Sequence, residues 1–334
     1  MRTYAFLLSG EHETLPKQEV LALLEIHSSS FREEASMDQC LVVGAEGLDI
    51  VEIGRRLAMT HSIIQVLSIC DADQSSLSEA VRCLDLPRRR YRVRARCVKG
   101  ARPAADEVER CVGSVLFGRG FRADLTRPEI ELRAVVTDGC IVLGLEAARI
   151  DRGSFEARRP HKRPFFHPGV LMPRMARALV NLSQAREGER LLDPFAGTCG
   201  ILIEACMIGV RGVGVEFSGH LVRGALCNLK DVDCDLVRGD AKCLPFHDSS
   251  FDAAVLDLPY GRSARIEADS KEHLLEEGLA ELHRVIVPGR RMVIVADGKI
   301  DEILAESGFW IAQRHMHRVH RSLTRHIYVC TRGR

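Results

Sequence analysis

The stretch ERLLDPFAGTCGILIEACMIGVRGVGVEF, residues 189–217, decides the fold. A short apolar run ends in Asp193-Pro194, and the glycine-bearing turn AGTCG follows at 196–200. ILIEACMIG then reads as a helix and RGVGVEF as a second strand. Strand, tight turn, helix and strand in about thirty residues make a βαβ unit. Such a unit implies a parallel sheet, because the crossover helix returns the chain to run in the same direction.

The same alternation extends outward to the carboxyl end. MPRMARALVNLSQA precedes the unit as a helix. After it come GHLVRGALCNLKDV (helix), CDLVRGDA (strand), FDAAVLDLP (strand), KEHLLEEGLAELHRVI (helix), RRMVIVADG (strand) and DEILAESGF (helix). WIAQRHMHRVH and RHIYVCTR close as a hairpin. The pattern predicts an α/β domain over 169–334: a doubly wound, Rossmann-like sheet with helices on both faces and an antiparallel terminal hairpin.

Toward the amino end, strands and helices mix without strict alternation, which reads as α+β. TYAFLLSG and QCLVVGAEG are strands, and PKQEVLALLEIH and LDIVEIGRRLAMT are helices, over 1–58. From 59 to 150, SIIQVLSIC and YRVRARCVKG are strands, and SSLSEAVRCLDL and AADEVERCVGSVLFG are helices. EIELRAVVTDGCIVLGLEAARI is a hairpin about Asp138-Gly139. Residues 151–168, DRGSFEARRPHKRPFFHP, are basic, proline-bearing and aperiodic, and read as a linker.

Composition narrows the functional classes. A chain of 334 residues exceeds one ordinary core. The net charge of +1 gives no global basic signal, so any nucleic-acid surface must be local. Twelve cysteines without a C-x-x-C spacing read as mostly buried thiols in a reducing cytoplasm rather than a disulfide scaffold. MRTYAFLLSGEHE lacks the parts of a signal peptide, and no run approaches the roughly 20 apolar residues of a membrane span. The expectation is a cytoplasmic protein that does not enter the membrane.

In open α/β sheets, ligands sit beyond the carboxyl ends of the strands, at the switch point. Four successive strand ends here carry an acid: Asp193, Glu216, Asp240 and Asp257. Helix capping accounts for one or two of them, not for the set. G-x-G-x-x-G is missing from the first turn, as is the G-K-[ST] of a phosphate loop. A pyrophosphate also suits a carboxylate-rimmed pocket poorly. A neutral or cationic nucleoside fits, and S-adenosylmethionine, with its sulfonium, amino group and ribose, meets these demands. Asp193 would take the amino group, Glu216 the ribose hydroxyls and Asp240 the adenine amine. Ala196, Gly197 and Gly200 would let the backbone approach.

With these motifs assembled, the second half resembles class I S-adenosylmethionine-dependent methyltransferases. DPFAGTCG, including Thr198, is similar to their first motif, Glu216 to their ribose-binding acid, and Gly239-Asp240-Ala241 to their adenine-contacting motif. Asp257-Leu258-Pro259-Tyr260 is similar to the D/N-P-P-Y/F/W motif of enzymes that methylate exocyclic amines, with Leu258 where proline is usual. RPFFHPGVLMPR, 163–174, and the amino-terminal half resemble the archaeal–eukaryotic tRNA (guanine-10-N2)-methyltransferase family. The resemblance implies a THUMP domain over 59–150 after a ferredoxin-like part over 1–58, tRNA as partner, and Phe166 and His167 flanking the methionine end of the cofactor. The alternative reading of FFHP, the less favoured one, is a hydrophobic staple ahead of the next helix. Some relatives, the resemblance adds, use a small zinc-binding activator subunit.

An aromatic amine is a poor nucleophile because its lone pair is delocalised. Two acceptors that grip its protons, the Asp257 carboxylate and a backbone carbonyl at Leu258, would localise that pair and aim it. Pro259 stiffens the turn, and Tyr260 would stack on a flipped base. Cys199 reads as a packing residue, not the nucleophile of a pyrimidine methylase. In RRRYRVRAR, Arg90, Arg92, Arg94 and Arg96 share one strand face, with Arg88 leading in and no acid among them, which suits phosphate contacts. Arg158, Arg159 and Lys162 add charge in the linker. HMHRVH, 315–320, has metal-like spacing, but no acid or cysteine completes a set, so no metal is expected there. Methylation of guanosine N2 at position ten of tRNA leads. Adenine N6 or protein glutamine as target, or an RNA-binding protein without catalysis, are the alternatives.

Overall fold

Two seven-stranded sheets organise the chain, each inside its own unit, Met1–Asp151 and Arg152–Arg334. The computed structural model describes residues 1–259, 268–321 and 323–333.

The first unit runs β1 (Arg2–Leu8), α1 (Leu15–His27), β2 (Ser30–Met37), β3 (Cys40–Glu46), α2 (Ile50–Arg56), β4 (Thr60–Asp71), α3 (Gln74–Cys83), β5 (Tyr91–Cys97), α4 (Ala105–Gly118), β6 (Ile130–Thr137) and β7 (Cys140–Arg149). Its sheet order is β2-β3-β1-β4-β7-β6-β5. All pairs are antiparallel except β5 with β6. Asp138 and Gly139 have φ of 46° and 75°, the left-handed pair that a two-residue hairpin turn needs. β2, SFREEASM, has no place in the sequence pattern: it is a polar edge strand with no buried residue, so no apolar alternation marks it.

No break falls at residue 58. β4 pairs with β1 on one side and β7 on the other, so one sheet runs through that position. Glu19 on α1 is fully buried, and its carboxylate accepts from Ala58 N at 3.0 Å and Met59 N at 2.8 Å.

The second unit runs α5 (Ser154–Ala157), α6 (Pro173–Leu182), β8 (Arg190–Asp193), α7 (Gly200–Cys206), β9 (Arg211–Glu216), α8 (Gly219–Asn228), β10 (Asp235–Arg238), β11 (Ala253–Asp257), α9 (Ala268–Val285), β12 (Arg291–Ala296), α10 (Asp301–Glu306), β13 (Phe309–His320) and β14 (Leu323–Arg332). Its sheet order is β10-β9-β8-β11-β12-β14-β13, parallel through β12 and antiparallel in the terminal hairpin. The chain winds outward from β8 to β10, then returns to place β11 on the other side of β8. That reversal is the switch point.

Alternation along β9 shows how both faces are covered. Val213 and Val215 join Leu275, Leu279 and Leu282 of α9 in one core. Gly212 and Gly214 face α7 instead. A β-carbon on Gly214 would lie 2.6 Å from Leu202 Cδ1 and 2.8 Å from Ala196 Cβ, so the glycine lets helix and turn close on the strand.

Residues 151–168 belong to the second unit and are not a loose strap. Phe155 is buried under the Arg158 guanidinium, 4.6 Å from its ring centre. The cysteines are less uniformly buried than expected. Cys40, Cys199 and Cys330 are buried, Cys83, Cys227 and Cys243 are exposed, and the other six lie between, because several sit on solvated helix faces and loops.

Glu19→Ala leaves two buried N–H groups unpaired. It should lower the unfolding free energy by about 3 kcal/mol in denaturant titration.

Candidate active site

Strand register sets the geometry at the switch point. β11 pairs with β8 only through Ala253↔Leu191 and Ala254↔Leu192, then runs on to Asp257 beside β12. β9 likewise passes Asp193, which pairs with Gly214, and ends two residues later at Glu216. Asp193 is therefore the floor of a notch, with Asp257 and Glu216 each about 7 Å further along the strand direction on either side. Arg238 pairs with Glu216, so Asp240 stands two residues beyond the same row.

Asp193 is 1% exposed, and no lysine or arginine lies within ion-pair distance among the described residues. Burial pushes its carboxyl well above the usual range, the charges of Asp257 and Glu216 add to this, and the N–H of Phe195, donating at 3.1 Å, opposes it. Such a group favours a cationic guest.

The 194–200 turn hangs on β9. Ala196 N donates to Val215 O at 3.0 Å and Gly197 N to Glu216 Oε2 at 2.9 Å. The other Glu216 oxygen accepts from Ser218 N at 2.7 Å. The turn passes through left-handed backbone at Gly197 and Cys199, φ 51° and 63°. Burial raises the Cys199 thiol and the nearby Asp193 charge raises it further, which does not suit a nucleophile. Asn228 on α8 is a clamp absent from the sequence reasoning. Its Oδ1 accepts from Phe165 N at 2.9 Å, and its Nδ2 donates to Phe165 O at 3.0 Å and Thr198 O at 3.2 Å. The segment bearing Phe166 and His167 is thereby tied to the turn that carries Thr198 and Gly200. Phe166 is 51% exposed, and His167 is half-buried with Nδ1 2.9 Å from Pro168 O. Asp240 accepts from Lys242 N at 3.0 Å, and Ala241 beside it is buried. Phe217, directly after Glu216, is an aromatic 73% exposed at the same strand end, marked in the sequence only by following an acid-terminated strand.

At the end of β11, Leu258 explains itself. Its side chain is buried in the core beneath α9, and its N–H donates to Val295 O at 2.9 Å. Proline offers no N–H, so leucine lengthens the β11–β12 ladder by one bond. Pro259 follows; Tyr260 lies outside the described residues. Asp257 has a neighbour that sequence spacing could not supply: Arg325 on β14, buried, with Nη2 3.9 Å from Asp257 Oδ2 and donating to Gly169 O at 2.9 Å.

The basic residues fare unevenly. Tyr91 and Val93 are buried, and the arginines of β5 take the other face. That face is not free of acids, because neighbouring elements supply them. Arg90 pairs with Asp124 and Glu129, Arg92 with Glu131 of β6, and Arg94 with Glu109 of α4. Arg88 is exposed, its guanidinium 5.8 Å from the Phe121 ring centre, and Arg96 is half-buried. Arg158 is committed to the fold: with Arg177 it pairs to Glu204, which is fully buried. Arg159 pairs with Glu156, and Lys162 is exposed.

The doubly wound sheet, with carboxylates ending β8, β9 and β11 at its switch point, has the Rossmann-like fold of methyltransferases. Residues 160–327 match the RMKL-like methyltransferase domain model. The chain is 36% identical to a tRNA (guanine(10)-N2)-dimethyltransferase of Methanothermobacter thermautotrophicus, over 98% of both chains. It is 29% identical to the enzyme so named from Methanocaldococcus jannaschii, over 97% of this chain and 98% of that one. The crystal structure of TrmN from Thermus thermophilus superposes with a TM-score of 0.55 at 21% identity, covering 99% of each chain. The chain belongs to the tRNA (guanine-10-N2)-methyltransferase family, with an RMKL-like methyltransferase domain.

Two substitutions probe this geometry. The folded-state value of Asp193 lies above its unfolded one, so ligand-free stability falls as pH climbs between them. Asp193→Asn removes that cost and should melt above wild type at neutral pH without ligand. The advantage should vanish below the ordinary carboxylate range, as differential scanning fluorimetry across pH would show. Leu258→Pro deletes the ladder bond and part of the core contact, and should cost about 2 kcal/mol of stability.

Proposed function

We propose that the protein methylates the exocyclic N2 amine of guanosine at position ten of tRNA, and carries a second methyl to the same nitrogen. The observation that carries this reading is Asp257 at the strand end beside the switch point, in a chain alike over its whole length to relatives named for that reaction. S-adenosylmethionine is the methyl donor, and it supplies an electrophilic methyl group on a sulfonium. The residues present fit it, since the buried, uncompensated Asp193 carboxylate suits its ammonium group. Backbone at Ala196, Gly197, Thr198 and Gly200 would line the methionine end, with Phe166 and His167 alongside. Glu216 spends one lone pair of each oxygen on the backbone and keeps others for the ribose hydroxyls. Asp240 and Ala241 would meet the adenine edge, and Phe217 its face.

The chain's own part in the chemistry is positioning. The Asp257 carboxylate and the Leu258 carbonyl would each accept a hydrogen bond from one N2–H, which holds the lone pair toward the methyl group. Arg325 is the positive neighbour of Asp257, its Nη2 3.9 Å from Oδ2. Tyr260, by resemblance, stacks on the base. Each transfer would exchange one N2 proton for the methyl group, the donor leaving as its thioether and the proton passing through the Asp257 carboxylate to solvent; the amine then keeps a single proton, so only one acceptor can be engaged and the second transfer is the slower.

The first unit would grip the tRNA, with 59–150 as the THUMP part after the ferredoxin-like 1–58. Arg88, Arg90, Arg94 and Arg96 are the side chains best placed for phosphate, and Arg159 and Lys162 would add to them. No described helix is long and apolar enough to cross a membrane; a cytoplasmic site of action suits a tRNA substrate. A small activator subunit would find an unpaired strand edge along β13.

Nucleoside mass spectrometry of unmodified tRNA, after incubation with enzyme and donor, should show N2-methylguanosine first and N2,N2-dimethylguanosine later. A methyl group on adenine or on protein glutamine would overturn the assignment. Asp257→Ala should lower kcat by roughly 100-fold or more while calorimetry shows donor affinity within about threefold. Full activity in that variant would remove Asp257 from the amine grip.

A further inference from the structure

The last acidic residue in the chain is Glu306; from 307 onward there are six arginines, four histidines and no aspartate or glutamate. The terminal hairpin is built from that stretch. Its register fixes where it points. Asp257 pairs with Val295, Val295 with Ile327, and Ile327 with His315, so those four residues form one row across the sheet. β14 runs antiparallel to β12, so the described residues 316–321 and 323–325 lie beyond that row, past the carboxyl ends of the parallel strands. β13 continues five residues beyond it, about 16 Å of strand. The hairpin tip thus projects on the side where Asp193, Glu216 and Asp257 end their strands.

The cations of the hairpin divide by use. Arg314 pairs with Asp301, Arg332 donates to Ile286 O and to Ser249 at 3.1 Å, and Arg325 is held by Gly169 and Asp257. Arg318 and Arg321, at the tip, are exposed and have no acidic partner among the described residues. Met316 and Val319 beside them are 67% and 41% exposed. Two uncompensated guanidiniums on a projecting strand end carry no fold energy that would explain them. They match a polyanion whose charges repeat along a backbone.

We propose that the 316–321 tip is an RNA-contact surface in which Arg318 and Arg321 hold phosphates of the nucleotides flanking the target guanosine, while Met316 and Val319 cover a sugar or base face. The inference rests on the tRNA reading above and deepens it. The carboxylate notch repels a polyanion, and a pair of cations just outside it lets one nucleoside enter while its phosphates stay at the rim.

The test compares the full-length wild type with Arg318→Ser/Arg321→Ser and with the charge-keeping Arg318→Lys/Arg321→Lys. The serine variant should raise KM for tRNA roughly tenfold and reduce the slope of log affinity against log salt by about two. Its kcat and donor affinity should stay within about twofold, and the lysine variant should restore the slope. Unchanged KM and slope in the serine variant, with or without loss of an acidic protein partner, would overturn the inference. Wild type that methylates tRNA normally beside an unaffected variant sinks only this surface. Wild type that neither binds nor methylates tRNA sinks the functional reading as well.

Discussion

A buried carboxylate without a cation is the constraint on which the second unit depends. Asp193 sits at the floor of the switch point because β8 stops while its neighbours run on. In a ligand-free protein that arrangement is unfavourable, since burial and two nearby anions all oppose its charge. The turn suspended from β9, the Asn228 clamp and the glycines of β9 that let α7 close behind build the surroundings of this carboxylate. A cationic ligand at this carboxylate, as proposed above, would recover the energy lost by leaving Asp193 unpaired. Affinity for such a ligand is in this sense stored in the fold.

The second unit's architecture was legible because its signals are local. One βαβ pattern and a series of acid-terminated strands specify a parallel sheet and its working edge, and each rests on residues close together in sequence. The hairpin at Asp138-Gly139 was legible for the same reason, since both positions adopt the backbone that this dipeptide favours. What stayed hidden depends on pairing across the chain. β2 carries no apolar alternation, and the continuity of the first sheet through residue 58 rests on β4 bonding to two distant strands. The arginine face of β5 looked uncompensated because its partners, Glu109, Glu129 and Glu131, sit on other elements.

The same limit applies at the site. Asp193, Glu216 and Asp257 announce themselves by ending strands, and Asp240 by following one. Arg325 and Asn228 do not, because nothing in their neighbourhood separates them from ordinary surface residues. They become visible only once β14 lies beside β12 and α8 beside the 163–168 segment. Arg158 shows the converse, a basic residue in a basic stretch whose charge is consumed by the buried Glu204.

Leu258 carries a consequence for how the turn after β11 is held still. A proline ring stiffens a turn from within the residue, whatever its surroundings do. Here the same position is fastened from outside, by one bond to Val295 and by a side chain sunk beneath α9. Rigidity that is borrowed is only as good as its lender. The turn proposed to grip the amine shares the fate of β12, so whatever loosens that strand loosens the turn with it.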